Sequence, residues 1–523
     1  MATVTHPPML DLEVDGVKVS VPDRGGSLLD ALREDLRLRS AKDGCSPQGQ
    51  CGCCTVLVDG QARVACVTPV RRVAGRSITT VDGLDPGTRA RWSEAFCATG
   101  ASQCGFCTPG IVNRLEALRT RGTPPDDHAA VEQALLAHLC RCTGWRTILD
   151  AWDAMTSPPV TPPTSRDLDG AAARAALEGG GPQQVSPAVA LGRGGFADDA
   201  APADALVAVL DRSGEWVVGE TLTEARQRAG KVQGRRTTVD ARPPLPLPEG
   251  EWAAALRTSW VEPAYLEPDA SWCLPGEEPA SPLANGGAFG GKRRSEVAAV
   301  ARRLADEHGR AVRVLLSRED AVRRGPKRPP VAGGSTADGQ GILRAVRTPG
   351  LAEVIASVAP GLAVEEVDVP GPRTSTDLRA SGWAEATVLL AGARRSTIPV
   401  VDPVTGAIAE AEVDGRGVRV RVRAGDPLDE VALRSYAIGA AHMALSWMSS
   451  EGIAVDDEGV VHDLTIRSFG ILRAVDTPPV HVEIDATPGP PVRGGDAVFA
   501  AVAAAAWLHA GCPVDWPTGT RWR

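Results

Sequence analysis

Cysteine placement constrains this chain more than any other feature: ten of its twelve cysteines fall before residue 143. Five make one group, Cys45, Cys51, Cys53, Cys54 and Cys66. Four make another, Cys104-Gly105-Phe106-Cys107 answered by Cys140-Arg141-Cys142. Thiolates bind soft metals well, and one [2Fe–2S] unit takes four of them. Two quartets on so short a segment point to a wire for single electrons.

In the first group, Cys51 and Cys54 form a C-x2-C pair, with Cys45 before them and Cys66 as a distant fourth. This is the plant-type ferredoxin spacing with one residue added in the first gap. It assigns Cys45, Cys51, Cys54 and Cys66 as ligands and leaves Cys53 as a spare buried thiol. Cys104, Cys107, Cys140 and Cys142 form the second set. Zinc also takes four thiolates, but zinc ribbons usually keep their paired knuckles about 15–20 residues apart. Thirty-two residues separate Cys107 from Cys140, and the second half is C-x-C. Cys97, Cys273 and Cys512 read as structural.

The order of elements around the cysteines points to an α+β chain. Leu10–Val21 alternates apolar and polar residues about Asp15-Gly16, the chemistry of a tight hairpin. Ser27 is placed to cap a helix whose Leu28, Leu29, Leu32 and Leu36 share a face. A ligand loop and the strand Thr55–Val58 follow. Hairpin, helix, loop and strand resemble the β-grasp of plant-type ferredoxins, giving a first domain at 8–82. Helical patterns at Ile111–Arg121, Val131–Leu139 and Ile148–Met155 define a small bundle around the second quartet, at 83–156. Residues 157–187 read as a linker, and 188–523 mixes strands with helices such as Ser295–His308, Ser435–Ser449 and Ala497–Leu508.

At 523 residues several domains are expected. A net charge of −9 disfavours nucleic acid as a partner, which calls for a basic face. Met1–Leu10 has neither a basic nor an apolar leader region, and the apolar run Ala497–Leu508 is shorter than the roughly 20 residues that span a bilayer. A cytoplasmic location is expected and no membrane partner. In that compartment clustered cysteines hold metals more often than disulfides.

Three segments carry a resemblance. Gly44-Cys45 through Cys54-Thr55-Val56-Leu57, Gln103-Cys104-Gly105-Phe106-Cys107-Thr108-Pro109-Gly110 and Leu139-Cys140-Arg141-Cys142-Thr143-Gly144 resemble the iron–sulfur subunit of molybdenum hydroxylases, the family of xanthine dehydrogenase, aldehyde oxidoreductase and aerobic carbon monoxide dehydrogenase. The remainder is similar to a shortened molybdopterin-binding subunit, in Leu266-Glu267-Pro268, Gly286-Gly287-Ala288-Phe289-Gly290-Gly291-Lys292, Asp402-Pro403-Val404-Thr405-Gly406 and Gly494-Gly495-Asp496. The resemblance implies that the helical-domain cluster faces molybdenum and the ferredoxin-like cluster faces a flavin. It also implies that Gly287, Phe289, Gly290 and Gly291 line a molybdopterin, and that Asp496 stands where the family has its general base. The bland reading makes Asp496 a helix N-cap, Glu267 a salt-bridge or packing residue, Lys292 a solvated lysine and His442 a packed core histidine.

The departures matter. The family's Ala-Phe-Arg-Gly and Gln-Gly segments are not recognisable here, and no flavin motif is seen. A FAD-binding subunit and a molybdopterin-binding subunit are therefore expected as partners, acting on a small heterocycle or aldehyde. The molybdopterin is either shared with a partner chain or held by it. The rival reading is a non-catalytic electron-transfer and assembly subunit whose C-terminal region is a degenerate scaffold.

Overall fold

The computed structural model describes every residue except 1–6, 157–165, 231–238, 284 and 486. Strands Met9–Val14 and Val17–Pro22 pair antiparallel around Asp15 (φ 52°) and Gly16 (φ 79°), the two left-handed positions of a type I′ turn. Ser77–Thr79 runs parallel to the first strand and antiparallel to Thr55–Val58, and Gln61–Val64 closes the five-stranded sheet. Ser27 and Asp30 form a reciprocal capping box. The helix they start is shorter than its leucine periodicity predicts: after Leu28–Asp30 the chain widens into a π-turn, Ala31–Asp35.

The second domain packs helices Pro86–Thr99, Thr108–Arg119, His128–Ala134 and Arg146–Thr156 around Trp92, Phe96, Trp145 and Trp152. Cys107 immediately precedes the second of these. The segment expected to be helical through Leu139 is helical only to Ala134. A 3-10 turn, Leu135–Ala137, follows, and Cys140 and Cys142 sit in a loop.

Part of the span expected to be a linker is ordered. Residues 157–165 lie outside the described ones, but Leu168–Gly179 is a helix, capped by Asp167 and stopped by Gly180 at φ 67°. Its Ala171, Arg174, Ala175 and Glu178 are buried at helical spacing. The small residues that read as looseness allow close packing.

The C-terminal region holds three more sheets. Strands Leu206–Leu210, Trp216–Gly219, Ala270–Cys273 and Val312–Leu315 form one. A second runs from Leu362–Val367 through Gly341–Val346, Val331–Ser335 and Ala254–Thr258 to Asp515–Trp516, and a third contains Ile408–Asp414 and Gly417–Arg423. Helices Glu430–Ser449 and Gly495–His509 pack together at the centre, with Trp447 stacked on Phe499 at 5.2 Å. Alanine on the second helix lets the two backbones approach. Among the described residues no helix is long and apolar enough to cross a membrane.

Ion pairs join the ferredoxin-like domain to the C-terminal region. Arg33 reaches Asp198 (2.6 Å) and Asp199 (2.9 Å), and Arg313 reaches Glu34 (2.8 Å). Lys42, beside the first ligand loop, is fully buried and pairs with Asp199.

Candidate metal centres

Folding brings each quartet of cysteines together. In the first, Cys45 lies within hydrogen-bond reach of Cys51 and Cys66, and Cys66 reaches Cys54 as well. Backbone amides aim at the sulfurs: Gln48 N donates to Cys45 Sγ at 3.1 Å and Cys66 N to Cys54 Sγ at 3.4 Å. Hydrogen bonds from Cys51 and then Cys66 hold the Cys45 thiol well below its ordinary pKa. Cys53 is also fully buried, its Sγ turned to Cys51 O at 3.8 Å.

The second quartet falls into two pairs. Cys104 Sγ and Cys142 Sγ are 3.6 Å apart, and Cys107 lies against Cys140. Two thiolates each about 2.3 Å from a shared tetrahedral metal sit about 3.8 Å apart, so one pair per iron is a natural fit. Hydrogen bonds from Cys107 and then Thr143 bring the Cys140 thiol down to about 6, against the opposing effect of burial. All four sulfurs line one enclosed cavity with Arg141, Tyr265 and Gly287. The second donor set suits a [2Fe–2S] unit in sulfur count and in pairing; in the first, Cys51, Cys45, Cys66 and Cys54 lie in sequence within reach of one another, with Cys53 also beside Cys51.

The segments that carry the two quartets pack against each other. A Cβ on Gly44 would stand 3.1 Å from Cys51 Sγ and 3.1 Å from the Phe106 ring, so a larger residue there would crowd the approach of the two loops. One on Gly110 would strike the carbonyl oxygens of Gly52 at 2.4 Å and Cys53 at 2.8 Å.

Gly287, Phe289, Gly290 and Gly291 tell a different story, because the residues here do not fit a molybdopterin. Each glycine is pressed on this chain's own atoms. A Cβ on Gly287 (φ 83°) would meet Cys104 Cβ at 2.9 Å, one on Gly290 would meet Asp377 O at 1.9 Å, and one on Gly291 would meet the Tyr265 ring at 2.7 Å. The Phe289 ring carries the Arg379 guanidinium at 4.4 Å. The cavity among Phe289, Arg141, Arg379, Glu451 and Phe499 has about 30 Å³ for water, room for a molecule or two. Cofactor pockets run to about 300 Å³ or more. Buried ion pairs fill the rest: Arg141 with Glu451 (2.9 Å), Arg328 with Glu385 (2.7 and 2.9 Å) and Lys327 with Glu262 (2.9 Å).

Asp496 is one of these paired groups. It meets Arg379 at 3.2 Å and Arg493 at 3.1 Å and does not cap its helix. The helix starts at Gly495, which moves Asp496 inside the first turn, and Glu178 accepts the N–H groups of Gly494 and Gly495, both at 2.9 Å. Lys292 is likewise not solvated. It is buried, its Nζ is 2.6 Å from Glu267 Oε2, and burial raises the Glu267 carboxyl pKa despite that partner. Glu267 is thus a salt-bridge residue. His442 is a core histidine: its Nε2 meets Leu472 O at 3.0 Å, and burial takes its pKa down to about 4.

Sequence reasoning missed two arginines that touch the first ligand loop from the C-terminal region. Arg318 donates to Gly44 O at 2.7 Å, and Arg467 Nε donates to Gln50 O at 3.0 Å. Their partners are backbone atoms hundreds of residues away, which no local motif encodes.

Residues 12–71 match the family described as a 2Fe-2S iron-sulfur cluster binding domain, and residues 80–153 the one described as a [2Fe-2S] binding domain. The chain is similar to the nicotine 6-hydroxylase small subunit of Paenarthrobacter nicotinovorans, at 42% identity over 144 residues, covering 27% of this chain and 86% of that one. It is similar to a probable xanthine dehydrogenase subunit of Bacillus subtilis, at 40% over 122 residues, covering 23% and 69%. The solved aldehyde oxidoreductase of Desulfovibrio gigas aligns across 95% of this chain and 97% of its own with a TM-score of 0.69, at 14% identity, a likeness of fold.

Proposed function

This chain belongs to the molybdenum hydroxylase family as an iron–sulfur electron-transfer component, and from that premise we propose that it relays electrons between two partner subunits of a multi-chain oxidoreductase. Cys45, Cys51, Cys54 and Cys66 hold one [2Fe–2S] cluster, and Cys104, Cys107, Cys140 and Cys142 the other, in domains spanning 8–82 and 83–156. When bound, each cluster supplies one-electron redox chemistry. The protein packs the two ligand-bearing segments together at Gly44 and Phe106 and keeps every ligand cysteine 8% exposed or less, which limits the access of water.

One partner carries the molybdopterin and oxidises a small heterocycle or aldehyde; the other carries FAD. The filled glycine loop supports placing the molybdopterin outside this chain, and it gives 188–523 the role of a scaffold over the clusters. Asp496, paired with two arginines, then has a structural role. A cytoplasmic site of action suits the unpaired thiols.

The observation that carries this reading is the gathering of two buried thiol quartets on segments that pack together at Gly44 and Phe106. Metal analysis and low-temperature paramagnetic resonance of the purified chain test it. About four irons, four labile sulfides and two distinct reduced-state signals are expected. Serine at Cys104 or Cys140 should remove one signal, and serine at Cys45 or Cys66 the other. Zinc in place of iron, or a single signal in the parent, would refute it.

A further inference from the structure

The first ligand loop is held at both ends by guanidinium groups. Arg318 Nη2 donates to Gly44 O and to Leu266 O, each at 2.7 Å, and Gly44 directly precedes Cys45. Arg467 Nε donates to Gln50 O, the residue before Cys51, and its backbone N–H donates to the Gln50 side chain at 3.1 Å. Both arginines come from the C-terminal region, and among the described residues neither forms an ion pair.

For Arg318 this is costly. It is 0% exposed, and its Nη1 has no hydrogen-bond partner among the described residues. Beyond the two carbonyls it has only the Tyr265 ring, 5.7 Å away, which it shares with the Lys292 ammonium. It also stands in the first turn of the helix Arg318–Arg324, where the helix field opposes a cation. A buried charge persists only where something offsets it. The nearby acids are committed elsewhere: Glu267 to Lys292, Glu262 to Lys327, and Asp269 to Tyr265 and Ser295. Two sources of negative charge then stand beside Gly44: Asp43, which precedes it and pairs with Arg226 at 3.2 Å, and the thiolate quartet, whose Cys51 Sγ lies 3.1 Å from the Gly44 Cβ position.

Resting on the electron-transfer reading above, we infer that Arg318 and Arg467 raise the reduction potential of the first cluster and so make it the better electron holder. A cluster bound by four thiolates is an anion, and reduction adds one electron, and hence one negative charge, with no bond made or broken. A fixed cation nearby favours that reduced form. In a protein interior the effect is several times larger than in water, so buried Arg318 dominates. Arg467 is exposed, and salt screens it. The C-terminal region, whose glycine loop is closed to a cofactor, thereby acts on the cluster from outside its domain.

Redox titration of the full chain, followed by the two reduced-state signals, tests this, with the second cluster as internal reference. In Arg318→Met, the ratio of reduced to oxidised first cluster at a fixed potential should fall about tenfold, which for one electron is about 59 mV. Arg318→Lys should stay close to the parent. Arg467→Gln should shift the same signal by a smaller factor that vanishes at high salt, whereas the Arg318→Met shift should persist. Should Arg318→Met fail to fold, the surface variant Arg467→Gln and its salt dependence still decide the matter. Parent-like titration of both neutral variants, or an Arg318→Lys shift as large as that of Arg318→Met, would show that the arginines merely pack and would overturn the inference. A parent chain with no cluster signal would instead sink the electron-transfer reading, and this inference with it.

Discussion

Replacing Glu385 by Gln should unfold the C-terminal region far more readily than its distance from the cysteines suggests. Glu385 is 1% exposed and grips Arg328 by two bonds, Nε at 2.7 Å and Nη2 at 2.9 Å, while also accepting the Gly382 N–H at 2.9 Å. Arg328 lies over the Trp447 ring at 4.2 Å and donates to Arg379 O at 2.6 Å. Glutamine can still accept the Gly382 N–H, so the loss is mainly that of a buried ion pair, about 3–5 kcal/mol. With a urea slope of about 3 kcal/mol/M, the upper end for small proteins, the midpoint of the C-terminal transition should drop by about 1–1.7 M. The double variant Arg328→Met, Glu385→Leu removes both charges and should recover most of that loss, because it leaves no unpaired ion. Urea unfolding followed by tryptophan fluorescence, with Trp447 as a reporter beside the pair, measures both. A Glu385→Gln loss below about 1 kcal/mol, or a double variant no better than the single one, would refute the view that a charged framework fills the space a cofactor would need.

Three further outcomes are expected. Gly287→Val, with its Cβ 2.9 Å from Cys104 Cβ at a φ of 83°, should halve the iron content and weaken the second cluster's signal while sparing the first; full iron would count against the close fit. Cys53→Ser should leave both signals intact, and loss of either would make Cys53 a ligand. Burial raises the Glu34 carboxyl pKa, but Arg313 and then Arg39 outweigh it and hold it at about 2, below 4.5. A depressed carboxylate pKa gives stability that is complete above about 4.5 and lost as pH falls towards about 2. Contact between the ferredoxin-like domain and the C-terminal region should loosen in that window, seen as a growing radius by scattering, and Glu34→Gln should lose that part of the acid dependence.

What was legible in the sequence was local. Spacing within a C-x2-C or C-x-C pair is set by loop geometry over a few residues, so the close pairs could be read from their intervals. The Asp15-Gly16 hairpin could be read for the same reason. The π-turn at Ala31–Asp35 escaped because leucine periodicity reports a buried face without fixing the turn that presents it. The helix Leu168–Gly179 escaped because its alanines and glycines mark close packing only once a partner is known. Glu178 caps amides 316 and 317 residues away, and Lys292 is buried by a pairing with Glu267 across 25. Such long-range pairings leave no periodic trace. The glycine loop at Gly286–Gly291 has the look of a cofactor cradle, and close backbone packing needs glycine as much as a ligand does.

Gly287, seated against Cys104 and Cys142, has a bearing on biogenesis. With the C-terminal region in place, no ligand cysteine is more than 8% exposed, and a delivery protein that hands over an intact cluster needs to touch the thiols directly. Iron is therefore expected to reach this protein before its later half closes. Synthesis from the N-terminus favours that order, since the two cysteine domains leave the ribosome and fold first. Maturation becomes a matter of timing: apo chain folded to completion should accept clusters only after partial unfolding, whereas chain loaded during refolding should fill both sites.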